Sequence, residues 1–464
     1  MQKLNEICSC ESKANSETEF VGIRCEKSKE GGALKTSIIF PLGYFKDDST
    51  LRELPEEELR ECVVNLFTVL SDPSLQEQIH QDSSIFTFAE EHGEAEFPMV
   101  SYLNVIRNFL DFGYLDEKEI LYKKGANGKI NWGRTIKAVQ PVITEDAQNL
   151  VYLDFIARKV SYNEDTLITQ VHKFCVHDAL VKLGFLFGID PSEEPLLDFD
   201  YDLFCNAIHS KLAKTFNDRD LRLLADLARI VEFLAGHKTE DGKIANEFYF
   251  GVKKFAPVWE AMVDKIFGKL PQGVAKDKFN PHCEWDLSSG ARGYENPNYA
   301  MRPDTIMWDE EGNRLYVLDA KYYKFGVTGS AADLPSSGSI CKQIAYAEYV
   351  ETHWKEILGV DSIVLQNPIY NAFLLPYCFD GENLNLPPDD GFETRPCKMR
   401  FIGFCHGNWK NLDARPGEVD YRSYHRIAGI LLDVRSVMKN YGAFGEAQKT
   451  LATCILRENS NCCT

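Results

Sequence analysis

The stretch RPDTIMWDEEGNRLYVLDAKYY, residues 302–323, constrains the fold of this chain more than any other. Its polar centre, WDEEGN, lets the chain double back, and RLYVLDAKYY is then apolar and rich in strand formers. Period-two alternation puts Leu315, Val317, Asp319 and Lys321 on one face. Pro303 sits badly in a central strand, so Asp304 is expected at a bend or a strand edge. If the two strands pair, Asp304 approaches Asp319 and Lys321. Two readings follow. One is a hairpin with solvated charges, the commoner fate of Asp and Lys. The other is a site, because Asp319 and Lys321 interrupt an apolar strand and a buried lysine is costly unless paired or functional.

In the second reading Asp304 and Asp319 hold Mg²⁺, since hard cations take carboxylate oxygens and keep some of their water. Such an ion polarises a phosphate, activates water and stabilises a leaving oxygen. The Lys321 ammonium beside it would orient the water and offset transition-state charge. The flanking segments supply further candidates. FAPVWEAMVDKIFGKLPQG (255–273) is an amphipathic helix with Trp259, Met262, Val263, Ile266, Phe267 and Leu270 at helical spacing. Glu260 lies beside that stripe, where a solvated helix-edge residue is expected. A Gly/Ser/Pro loop then leads to a helix over 339–357, whose inner face is Ile340, Ile344, Ala347, Val350 and Trp354. Gln343 falls beside that face, suited to the scissile phosphate, to a water held by the metal, or to a buried polar contact. Lys342 points roughly opposite, toward phosphate or solvent.

The pattern from about 280 predicts strands at 299–308, 314–323, 370–377 and 399–405, with a second helix at 420–441. This makes an α+β or α/β domain, a mixed sheet flanked by helices, beginning near residue 250. Upstream, residues 50–72 and 98–115 read as helices, and 119–143 as two strands around a Gly-Ala-Asn-Gly turn. Helix, helix, hairpin is the outline of a winged helix, which unrelated folds share. Helices are expected over much of 165–188 and 195–237, and residues 1–35 are irregular or form short strands. Three regions result: 1–95, without an assignable role; 96–250, winged-helix-like and helical; and 251–464, the domain carrying the charged hairpin.

The net charge is −19. Residues 251–464 hold 24 Lys and Arg against 27 Asp and Glu, leaving 27 against 43 in residues 1–250. Bulk charge therefore does not suggest a nucleic-acid partner, although local patches can serve. Lys123, Lys124, Lys129, Arg134 and Lys137, with Trp132 among them, form such a patch in the acidic half. It would contact phosphates, dock a partner subunit, or be a solvated strand pair with Trp132 in the core. HKFCVH (172–177) lacks a second Cys/His pair at zinc-ligand spacing. No phosphate-binding G-x-x-x-x-G-K-[S/T] loop and no G-x-S-x-G elbow occur. No apolar run is long enough for a membrane span, the N-terminus lacks the apolar core of a signal peptide, and the 14 cysteines are scattered, so reduced thiols in a cytoplasm are expected.

Pro303-Asp304 with Asp319-Ala320-Lys321 resembles the PD-(D/E)xK nuclease superfamily. GKINWGRTI (128–136), LITQVHKFCVHDAL (167–180), RPDTIMW, LDAKYY and ADLPSSGSICKQIAYAEYV together resemble the LlaJI-type restriction endonuclease family, over about 95–440. The first 90 residues are expected to lie outside the resemblance. The family is similar to McrC-like subunits, nuclease partners of a GTP-driven AAA+ motor. The resemblance implies a Mg²⁺-dependent endonuclease that cuts double-stranded DNA in bacterial defence. Asp304 and Asp319 would be metal ligands, joined by Glu260; Lys321 would be the catalytic lysine and Gln343 a catalytic helper. Lys342, Lys129, Arg134 and Lys137 would be DNA contacts. It also implies a cognate DNA methyltransferase, an AAA+ GTPase partner and, because duplex cleavage needs two cuts, a dimer on DNA. The alternatives are a non-catalytic assembly subunit, or a nuclease subunit active only with its GTPase.

Overall fold

The computed structural model describes residues 4, 8–12, 20–27, 34–72, 97–115, 117–125, 129–143, 150–163, 166–191, 194–237, 247–283, 288, 301–358, 369–379, 397–414, 418, 420–442 and 444–461. The tip of the expected turn at 126–128 and the Cys pair 462–463 lie outside the described residues. In chain order the elements begin with β1 (Cys8–Ser12), β2 (Val21–Lys27), β3 (Leu34–Phe40), α1 (Asp48–Glu53), α2 (Glu56–Leu70), α3 (Met99–Phe112), β4 (Glu117–Lys124), β5 (Lys129–Ile130) and α4 (Trp132–Ala138). Then come β6 (Val142–Ile143), β7 (Leu150–Val151), β8 (Ile156–Asn163), α5 (Leu167–Phe187), α6 (Tyr201–Leu212), α7 (Asp218–Gly236) and β9 (Phe248–Val252). The chain closes with α8 (Ala256–Phe267), β10 (Thr305–Asp309), β11 (Arg314–Ala320), α9 (Phe325–Thr328), α10 (Ser337–Leu358), β12 (Ile369–Tyr377), β13 (Met399–Cys405), β14 (Ile427–Asp433), α11 (Val434–Lys439) and α12 (Phe444–Asn461).

Two compact units result, one of residues 97–245 and one of residues 2–96 with 246–464. The first 95 residues thus share a core with the C-terminal region: β2 pairs antiparallel with β9, Val21 opposite Val252, in a sheet of order β1-β3-β2-β9. The expected helix over 50–72 is two helices, broken at Leu54-Pro55, since proline supplies no N–H to continue the first. The winged-helix outline is not formed, because α2 belongs to one unit and α3 to the other. Nor do β4 and β5 pair with each other. Both pair with β8, which lies between them, and residues 132–138 form α4 instead of a second long strand. Asn131 caps that helix by accepting from the Arg134 N–H at 3.0 Å, the role its short amide suits. Trp132 is 52% exposed there, so it is not a core residue.

In the 97–245 unit α3, α5, α6 and α7 pack together. Their interior holds paired polar groups. Asp226 accepts from Ser101 at 2.8 Å, and Asp178 accepts from the Tyr102 hydroxyl at 2.7 Å while ion-pairing with buried Lys182. His172 of α5 is fully buried, and its Nδ1 accepts the Leu115 N–H at 3.0 Å. This is a structural histidine, as the missing zinc pattern suggested. Burial pushes its pKa down to about 4. An unfolded histidine titrates near 6.5 and binds a proton that the fold refuses. The unit's stability is therefore complete above about pH 6.5 and falls as pH drops toward 4, by up to about 3 kcal/mol. Urea denaturation from pH 4 to 7.5 should show this slope, and His172→Gln should flatten it.

The second unit is built on a five-stranded sheet of order β10-β11-β12-β14-β13. The pairs β11–β12 and β12–β14 are parallel, and β10–β11 and β13–β14 are antiparallel. Residues 427–433 are thus a strand where a helix over 420–441 was expected. IAGILLD has no decisive period, and its place between β12 and β13 buries most of it on both faces, the usual setting for a continuous apolar strand. Helix α10 covers β11, β12 and β14 through Ile344, Ala347, Val350 and Trp354. Helix α8 packs on β10 and β11 with Trp259, Met262, Val263, Ile266 and Phe267 all fully buried. It stops at Gly268, after which Lys269 exchanges backbone hydrogen bonds with Ile306 and Trp308 at 2.9 and 2.7 Å and covers the outer edge of β10. The fold is mixed α+β.

Candidate active site

The β10–β11 register sets Thr305 opposite Leu318. Continued by one residue, it sets Asp304 across from Asp319, at the spacing where cross-strand side chains meet. The Pro303-Asp304 bend ends the strand just there. The Asp304 carboxylate is drawn in by the Ala320 N–H, which donates to its Oδ2 at 3.0 Å. Its carbonyl is held by Lys276 Nζ at 2.6 Å, and that lysine is in turn paired with Asp264 at 2.8 Å. Asp319 stands on an interior strand, only 3% exposed, and Lys321 Nζ lies 2.6 Å from its Oδ2. The alternation read from the sequence therefore holds: Asp319 and Lys321 meet, and the charges are not those of a solvated turn.

The electrostatics are those of a crowded, poorly hydrated carboxylate pair. Burial, then the Asp319 charge and its hydrogen bond, then Glu260, hold the Asp304 carboxyl well above the ordinary range, with Lys321 opposing them. Burial would lower the Lys321 ammonium, but Asp319, Asp304 and Glu260 outweigh it and the net shift is upward. Lysine here is a fixed cation at neutral pH. Asp319 Oδ1 is buried without a hydrogen-bond partner among the described residues. An oxygen left bare in this way has one lone-pair direction for a cation or a water. Because the fold holds the Asp304 proton that an unfolded chain releases near pH 3.9, this group favours the fold fully below that pH and loses its contribution as pH rises through the higher native value. Asp304→Asn mimics the protonated form. We expect it to raise stability at pH 7 by about 1–2 kcal/mol, with the gain over wild type vanishing toward pH 4 in thermal melts.

Glu260 is exposed at the rim on α8, near enough for its charge to act on both Asp304 and Lys321. Gln343 takes the buried polar contact: it is 1% exposed, and its amide donates to the Val317 carbonyl at 2.7 Å and to Asn371 Oδ1 at 3.4 Å. The structure does not bring it into hydrogen-bond contact with Asp304, Asp319 or Lys321; it ties α10 to β11 and β12 instead. Lys342 is exposed, with its ammonium 5.5 Å from the Tyr346 ring centre. Lys129, Arg134 and Lys137 are exposed in the other unit, Arg134 lying 3.9 Å over the Tyr122 ring. One neighbour was not anticipated. Tyr346 is buried, donates its hydroxyl to the Arg302 carbonyl at 2.7 Å, and is kept neutral by burial, Asp319 and Asp304. Its place one turn beyond Gln343 on the inner face was the available signal.

Among the described residues no group of three or more His, Cys, Asp and Glu is arranged to hold a metal ion. An ion here would rest on Asp304 and Asp319 and draw its other oxygens from water and substrate, which is how Mg²⁺ is commonly held. The donor set is hard oxygen throughout, and Asp319 Oδ1 is uncommitted, so these residues fit such an ion. No helix among the described residues is long and apolar enough to cross a membrane.

Comparison with known proteins places the chain in a family. A curated relative is the Bacillus subtilis (strain 168) "Type II restriction enzyme BsuMI component YdjA", 24% identical over 273 residues, 57% of this chain and 55% of that protein. The chain thus spans about half the length of that relative. Among solved structures, a half-complex of Thermococcus gammatolerans McrB AAA+ hexamers with bound McrC is similar at a TM-score of 0.34 and 14% identity, covering 95% of this chain and 83% of that one. The LlaJI restriction endonuclease family model matches residues 38–387. The match begins inside the first 90 residues, which were expected to fall outside, and agrees with the packing of β3, α1 and α2 into the C-terminal unit. With most of its length so matched, the chain belongs to the LlaJI restriction endonuclease family.

Proposed function

We propose that this chain is a Mg²⁺-dependent endonuclease of a restriction system, hydrolysing DNA phosphodiester bonds at Asp304, Asp319 and Lys321 in a PD-(D/E)xK-type domain. The observation that carries the reading is the triad itself: two carboxylates facing each other across the end of a strand pair, with a lysine 2.6 Å from the buried one. When bound, Mg²⁺ would supply Lewis-acid activation of the phosphate and of water. Asp319 would present its bare Oδ1 to the ion, and Asp304, once it gives up its proton, the opposing carboxylate. Lys321 stays protonated, orients the attacking water or a phosphate oxygen, and offsets charge that grows in the transition state. Glu260, at the rim, would add an outer ligand or order water. Exposed Lys342 would meet the backbone of a bound strand.

The test is plasmid cleavage by the purified chain with Mg²⁺, with EDTA, and with the Asp319→Asn variant. Cutting by that variant at the wild-type rate would sink the assignment. A second reading is favoured by the word "component" in the name of the curated relative: the chain would cut only with a partner subunit, the AAA+ GTPase that the McrC-like resemblance implies. Cleavage that appears only when that partner and GTP are added selects this version. Two cuts per duplex require two such sites to meet on DNA, which predicts a dimer at the moment of cleavage.

A further inference from the structure

A cavity of about 470 Å³ lies within the 97–245 unit, between the end of α3 and the loop joining α6 to α7. Three aromatic side chains and three cations line it: Phe112, Tyr114 and Phe216, with Lys211, Lys214 and Arg219. The one carboxylate in the lining, Asp220, is paired with Arg219 at 2.8 Å. The cavity is therefore cationic in the half of the chain where acidic residues dominate, 43 against 27. Phe216 is 91% exposed and Phe112 59% exposed. A phenylalanine left in water adds almost nothing to folding, and an exposed apolar patch rimmed by charge marks a place of binding.

The floor of this cavity is rigid. Gly113 ends α3 with a φ of 74°, a turn that favours glycine, and this directs the chain to Tyr114. The Tyr114 ring is met edge-on by buried His172, at 5.9 Å between ring centres, and the next N–H, of Leu115, donates to the same histidine. The Arg219 guanidinium lies 4.4 Å over the Phe112 ring. The volume falls in the range of small-ligand sites, about 300–1,000 Å³. Aromatic faces accept bases without regard to sequence, and lysines beside them neutralise phosphate. Phe109 lies tilted against the Tyr114 ring at 4.7 Å and Lys173 stands over it, so Phe216 carries the open ring face, which an acidic peptide would leave without a flat partner.

We propose that this cavity binds one unpaired nucleotide of a DNA strand, its base against Phe216 and its phosphate at Lys214. The choice of DNA rests on the reading of the chain as a DNA-cutting protein; the chemistry of the cavity does not. Binding of a labelled single-stranded oligothymidylate of about 12 nucleotides by the full chain, followed by fluorescence anisotropy in EDTA, tests it without any cleavage. Phe216→Ala should weaken binding about tenfold, the order expected for one lost stacking partner. Lys214→Ala should lower the slope of log affinity against log salt by about 0.7. Both side chains are exposed, so neither change threatens the fold. Wild-type affinity in Phe216→Ala together with an unchanged slope in Lys214→Ala overturns the proposal. So does saturation by free thymidine monophosphate without binding of the strand, which would make the ligand a free nucleotide. Loss of cleavage with binding intact bears on the active site alone, and loss of binding in Phe216→Ala bears on the cavity alone.

Discussion

Asp319→Asn and Lys321→Ala should each reduce DNA cleavage by at least about 10²–10³-fold, the cost of removing one pre-placed group that meets transition-state charge, and Lys321→Ala should also lose stability because it leaves the buried Asp319 carboxylate without its partner. The two variants fail differently. Asp319→Asn keeps the side-chain volume but removes the charge that pairs with Lys321 and holds up the Asp304 carboxyl. The proton on Asp304 should then leave at lower pH, so any residual activity should lose its rise with pH on the acid side. Lys321→Ala removes the cation that opposes the upward shift of Asp304. Asp304 should then hold its proton to still higher pH, and residual activity should need more alkaline conditions. Rates measured from pH 5.5 to 9 at saturating Mg²⁺ separate these outcomes, and identical pH profiles in the two variants would contradict the charge coupling.

Lys182→Ala should destabilise the 97–245 unit by about 3–5 kcal/mol, the penalty for leaving a buried charge without its partner. Lys182 is 4% exposed and Asp178 8%, and among the described residues Asp178 has the Tyr102 hydroxyl to fall back on besides the lysine. Replacing both, Lys182→Met with Asp178→Asn, should recover most of the loss, because a buried ion pair contributes little beyond an apolar or neutral pair of the same shape. Urea denaturation of the three proteins measures this. A loss under about 1 kcal/mol in the single variant would mean that Asp178 finds water or a proton in the fold.

The charged hairpin was legible because two local rules agreed. Period-two alternation fixed which strand residues share a face, and the proline told where the first strand had to bend. The helices beside it were equally plain, since Trp259, Ile266 and Phe267, or Ala347, Val350 and Trp354, repeat at helical spacing and are buried in the structure. What escaped were the features that depend on partners distant in sequence. Residues 427–433 became a strand because β12 and β13 flank them. The strands at 117–124 and 129–130 were separated by β8, which arrives about 30 residues later. For Gln343 the sequence left a buried polar contact as one of its readings, and Asn371 and the Val317 carbonyl supply that contact.

The chain's own order of residues was thus enough to put Asp319 and Lys321 side by side and to bring Asp304 within reach, since those relations run through one turn of backbone. Tertiary packing decided the rest. It buried Asp319 and partly buried Asp304, and so raised the Asp304 carboxyl. It joined the first 95 residues to the C-terminal core through the β2–β9 pairing, and it shaped a cationic aromatic cavity from helix ends that are more than 90 residues apart. Burial and long-range pairing are properties of the whole fold, and no local spacing encodes them.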